Sequence, residues 1–121
     1  MNYDEFSKLI MGEVREILPT IPNLDDNTAY MEILTAVFNH PECSKFSNDE
    51  ISALINTIFL KTRRRLGILD PLINDNNITE IMVNGPQNIF YEKFGEIKKY
   101  GYMFDTVEEL EEVPSPADVA E

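Results

Sequence analysis

The chain holds 121 residues, 43% of them hydrophobic, which is enough apolar material for one domain, or for one small domain with an appended helical piece. Its 10 Lys and Arg against 22 Asp and Glu give a formal charge of −12, which repels nucleic-acid backbones and anionic membrane surfaces unless positive charge is concentrated locally. Cys43 is the only cysteine, which excludes an intrachain disulfide and a cysteine-rich zinc site.

The opening MNYDEFSKLIMGEVREIL mixes acids with apolar residues and has neither a basic leader nor an uninterrupted apolar run, so it reads as neither a signal peptide nor a membrane span. Phe6, Leu9, Ile10, Val14, Ile17 and Leu18 recur at helical spacing and predict a helix from about Tyr3 to Leu18, stopped by Pro19. After a turn through Pro22, Asp26 or Thr28 is expected to cap a second helix on Tyr30, Ile33, Leu34, Val37 and Phe38, ending near Asn39. Ser47-Asn48-Asp49-Glu50 fits a capping box that opens a third helix with Ile51, Leu54, Ile55, Ile58 and Phe59 as its inner stripe. Three amphipathic helices with short connections predict a bundle over residues 1–65.

Beyond Arg65 the period changes. Gly67 is suited to the left-handed conformation that closes a helix, and Asp70 before Pro71 predicts a capped helical turn through Leu72 and Ile73. Asn74 to Asn77 reads as a loop. Ile78 to Val83 alternates as a strand, with Ile81 and Val83 expected on the face that packs on Leu69 and Leu72. Asn88 to Glu92 and Glu96 to Tyr100 are expected to pair as a hairpin across Phe94-Gly95, and Tyr102, Met103 and Phe104 to add a fourth strand. The expected class is α+β: an N-terminal three-helix bundle, then a small antiparallel sheet with a short helix over residues 66–113, then an acidic, disordered tail over 114–121.

Charge is distributed unevenly. Residues 1–60 carry ten acids and three bases, residues 61–104 seven bases and five acids, and residues 105–121 seven acids and no base. Any contact with phosphate should therefore come from the middle segment. No glycine begins G-x-x-x-x-G-K-[ST] and no G-x-G-x-x-G occurs, so nothing here cradles a nucleotide, and no catalytic residue is assigned. His40-Pro41-Glu42-Cys43 offers two potential ligands three residues apart, but no other His or Cys exists to complete a tetrahedral metal site, so none is assigned. Lys61, Arg63, Arg64 and Arg65 remain at the end of the third helix. Cations there complement the helix dipole by a few tenths to about 1 kcal/mol. Forked guanidiniums also suit phosphate, and Arg63, Arg64 and Arg65 are the candidates for a nucleotide-phosphate contact.

The ungapped run Leu66-Gly67-Ile68-Leu69-Asp70-Pro71-Leu72-Ile73-Asn74-Asp75-Asn76-Asn77-Ile78-Thr79-Glu80-Ile81-Met82-Val83-Asn84-Gly85-Pro86, followed by Asn88-Ile89-Phe90-Tyr91-Glu92-Lys93 and Gly95, resembles the N-terminal domain of CpaF-type type II/IV secretion ATPases, the motors of Flp/Tad pilus assembly. The likeness is carried by about Leu66 to Phe104 and continues back over Phe46 to Arg65, while over Met1 to Pro41 it rests only on helices in the expected place. It implies a cytoplasmic hexameric ATPase at the inner face of the cell membrane, working with an inner-membrane secretion platform. In that family ATP and Mg²⁺ sit between this kind of domain and a RecA-like domain that owns the Walker motifs. The chain lacks those motifs, so the resemblance implies a non-catalytic module from which the motor is missing, as an excised fragment, a truncated gene product or a stand-alone relic of the family. A free-standing interaction domain that regulates such an ATPase or its platform is the alternative. Neither reading involves nucleic acid or direct insertion in the membrane.

Overall fold

The computed structural model describes residues 1–64 and 66–113, and the chain divides into two compact units, Met1–Arg63 and Arg64–Glu121. The described residues form an α+β fold of helices and a three-stranded antiparallel sheet. Arg65 and the tail expected to be disordered lie outside the described residues.

In the first unit, α1 spans Tyr3–Ile17, and the Asn2 side chain caps it by accepting from the Glu5 amide at 2.8 Å. Phe6, Ile10 and Val14 are buried on one stripe, and the chain tightens into a 3₁₀ turn at Leu18–Thr20 where Pro19 ends the α-helical pattern. Helix α2 spans Asp26–Phe38. Its cap is Asp25, one residue before the expected positions, because Asp25 is extended and its carboxylate accepts from the Thr28 amide at 2.7 Å, leaving Asp26 as the first helical residue. Helix α3, Asn48–Arg63, begins with the expected reciprocal capping box: the Glu50 amide donates to Ser47 Oγ at 3.1 Å and the Ser47 amide to Glu50 Oε1 at 3.0 Å. Ala29, Ile33 and Val37 of α2 and Ile51, Leu54, Ile55 and Ile58 of α3 join the α1 stripe in one core. Phe46 stacks on Phe6 at 5.2 Å between ring centres and closes that core at the α2–α3 connection.

The second unit has its own core of Leu66, Ile68, Leu69, Leu72, Ile89 and Phe104. Gly67 takes φ +56°, the left-handed conformation expected of it, but it does not close α3, which ends at Arg63; it opens a 3₁₀ turn at Gly67–Leu69 that runs into the short helix α4, Asp70–Ile73. Asp70 is therefore the first helical residue and not a cap, and its carboxylate turns to Arg64.

Strands β1 (Ile78–Val83), β2 (Ile89–Lys93) and β3 (Glu96–Lys99) pair in sequence order. The turn between β2 and β3 is two residues, Phe94 and Gly95, at φ 53° and 78°, so both central residues are left-handed as a primed hairpin turn requires. A register shift between Ile78 and Glu80 breaks the period of two in β1, and Ile78 and Ile81 both pack on the core although three residues apart. Val83, expected to share the buried face with Ile81, is exposed at the strand end. No fourth strand forms at Tyr102–Phe104. Phe104 is buried by its ring, and its amide makes a single bond to the Pro86 carbonyl at 2.8 Å, which is anchoring without a ladder. Helix α5, Val107–Glu112, follows, capped by Thr106, and Leu110 leans on the core.

Candidate functional site

Of the three arginines singled out by the sequence, Arg63 and Arg64 are described, and the structure turns both to carboxylates. Arg63 belongs to the last turn of α3. Its Nε donates to Asp26 Oδ1 at 3.0 Å and its Nη2 to the Leu24 carbonyl at 3.3 Å, so its guanidinium ties the end of α3 to the start of α2. The Asp25 carboxyl beside this cation is held below its usual range, chiefly by the hydrogen bonds from Thr28 and to a smaller extent by the Arg63 charge. Arg64 belongs to the second unit, where its Nε lies 3.7 Å from Asp70 Oδ2.

Both pairs retain solvent access, with side-chain exposures of 24% and 48% for Arg63 and Asp26 and of 33% and 24% for Arg64 and Asp70. Pairs of this kind contribute about 0–1 kcal/mol, so a phosphate oxygen could exchange with either carboxylate at little cost. The exchange is less favourable at Arg63, where Asp25 and Asp26 set negative charge beside the incoming anion. Arg64 is the better placed of the two described arginines; Arg65 lies outside the described residues.

After His40 the chain forms a 3₁₀ turn, Pro41–Lys45, which holds Glu42 and Cys43. The His40 ring meets Phe6 edge to face at 5.4 Å, Glu42 pairs with Lys45 at 3.0 Å, and Cys43 packs against the first core. Glu42 is held below the usual carboxylate range, first by the Lys45 hydrogen bond. Among the described residues no three His, Cys, Asp or Glu side chains gather as a metal-holding group. A concavity of about 550 Å³ lies between α2 and α3, lined by Tyr30, Leu34, Phe38, Phe46, Ile51 and Ile55 among others, and among the described residues no carboxylate, imidazole, lysine or arginine lines it.

Two polar arrangements of the second unit escape sequence reasoning. Lys93 Nζ donates to Asp75 Oδ2 at 2.7 Å, fastening the loop after α4 to the end of β2, while Asp75 Oδ1 accepts from the Asn77 amide at 2.9 Å. Both bonds favour the charged carboxylate and hold Asp75 below its usual range, the Lys93 bond foremost. Tyr100 donates its hydroxyl to the Ile68 carbonyl at 2.7 Å, and its ring meets Tyr91 and Tyr102. Burial first, then those neighbouring phenols and Asp70, pushes the Tyr100 hydroxyl well above the usual phenol range. The only local sign of this cluster is the i, i+2 spacing of Tyr100 and Tyr102; the Asp75–Lys93 pair spans 18 residues and has none.

Compared with known proteins, the chain matches no family model and no curated sequence. Among the described residues no helix is long and apolar enough to cross a membrane.

Proposed function

We propose that this chain is a non-catalytic N-terminal module of a Flp/Tad pilus or type II/IV secretion ATPase, packing beside a RecA-like ATPase domain in a hexameric, cytoplasmic motor at the inner membrane. The observation that carries the reading is the ungapped run from Leu66 to Pro86 and its continuation to Gly95, which resembles that family. It is supported by the coincidence of the resemblance with a physical unit: Leu66, Ile68, Leu69, Leu72, Ile89 and Phe104, the buried core of the second unit, all fall inside the family-like stretch. In this role the chain holds subunits in place and lends positive charge to a nucleotide bound on the motor domain. Arg64 is the first candidate for that contact, with Arg63 and Arg65 beside it. A planar fork there would stabilise charge on the transferring phosphoryl group as an arginine finger does, which lysine reproduces poorly.

The test joins the chain to the RecA-like domain of a CpaF-type ATPase and compares ATP turnover with that of the RecA-like domain alone. The joined protein is expected to turn over ATP faster, with Arg64→Lys and Arg64→Ala each reducing the gain. A folded fusion whose turnover equals that of the motor domain alone would overturn the proposal.

A further inference from the structure

Strand β3 ends the sheet, and its four residues Glu96-Ile97-Lys98-Lys99 are all exposed, with Ile97 showing 64% of its surface. Such an edge is a template for another strand, and proteins blunt it or use it. The direction of its free backbone groups follows from the ladder with β2. The Tyr100 amide donates to the Ile89 carbonyl at 2.8 Å, and the two-residue turn is closed by the Lys93–Glu96 pair. In an antiparallel ladder the residues whose groups face the partner strand alternate, so Glu96, Lys98 and Tyr100 face β2. The amide and carbonyl of Ile97 therefore point out of the sheet.

We propose that this edge is an interface for a second copy of the same chain, β3 lying antiparallel against β3 about a two-fold axis through Ile97. A two-fold axis normal to the sheet keeps each face on its own side, so only residues of the same face can stand opposite one another. That leaves three central registers. A register centred on Glu96 sets two carboxylates together at the axis, and one centred on Lys98 sets two ammonium groups together. Centring on Ile97 pairs the two exposed isoleucines, sets Glu96 of each copy across from Lys98 of the other, and lets each Ile97 exchange both backbone hydrogen bonds with its mate.

The Glu96–Lys98 positions are then non-hydrogen-bonded pairs, the type in which opposing side chains come closest. Within one chain Glu96 and Lys98 already share a face, 3.9 Å between Oε2 and Nζ. The junction extends the three-stranded sheet to six strands. It also forms at a stretch carrying both signs of charge, so the acidity of the whole chain does not oppose it locally. This inference does not rest on the function proposed above.

Sedimentation equilibrium of the whole chain over rising concentration tests it. A monomer–dimer equilibrium is expected. Glu96→Lys and Lys98→Glu each set two like-charged pairs across the junction and are expected to weaken association about tenfold or more. Combining both reversals in one chain, or mixing the two single variants, restores opposite charges and is expected to restore the dimer. Ile97→Pro removes the outward amide without touching the amides that pair with β2, and is expected to leave a folded monomer by circular dichroism. A chain that stays monomeric at every concentration, or a dimer indifferent to the single reversals, would overturn the proposal.

Discussion

Phe104 is 1% exposed while Met103 beside it is 49% exposed, so one ring from an irregular segment fills the core of the second unit. Phe104→Ala removes that ring from among Ile68, Ile89 and their neighbours and leaves a cavity that a small unit closes only in part. Truncations of this kind cost about 3–5 kcal/mol. At about 1.4 kcal/mol per factor of ten, the fraction of time the unit is open rises about a hundredfold to a few thousandfold. Native-state hydrogen exchange reads this directly: protection of the Tyr100 amide and the β2 amides should fall by that factor, while α1 and α3, whose core Phe104 does not join, keep theirs. Phe94→Ala is the control, because Phe94 is 75% exposed at the hairpin tip and its loss should leave β2 protection unchanged. Unaltered protection at Tyr100 in Phe104→Ala would refute the packing described for this unit.

Two further predictions concern single carboxylates. Asp75 has its pKa lowered in the folded state, so the unfolded chain binds the proton more readily; its contribution is fully present above the ordinary value of 3.8 and is lost as pH falls through the lower folded value. Acid unfolding followed by circular dichroism should show Asp75→Asn less stable near neutral pH but with a shallower loss of stability below pH about 4. Asp25→Ala removes the α2 cap and should cost about 1 kcal/mol in urea denaturation, whereas Thr28→Ala, which keeps the amide that donates to Asp25, should cost less.

What the sequence made legible was local. The Ser47–Glu50 box and the Phe94-Gly95 turn are each specified within four residues, and the structure has them as expected, while Gly67 is left-handed as expected but opens the next turn and does not close α3. The α2 cap slipped by one because Asp25, Asp26 and Thr28 all carry a suitable oxygen, and only the backbone conformation selects among them. Asp70 does not act as the expected cap because the 3₁₀ turn before it already starts the helix and Arg64 draws its carboxylate away. The irregularity in β1 that brings Ile78 and Ile81 to one face depends on the register of pairing with β2, which no local pattern encodes. At the candidate site, the sequence located the arginines, but the carboxylate that Arg63 meets lies 37 residues away, beyond the reach of spacing rules.

Calorimetric titration of the chain with the separately purified RecA-like domain of a CpaF-type ATPase reads the proposed packing between the two. Saturable one-to-one binding is expected, weakened when Phe104→Ala loosens the family-like unit. Absence of binding by the folded wild-type chain, or binding indifferent to that substitution, would contradict it.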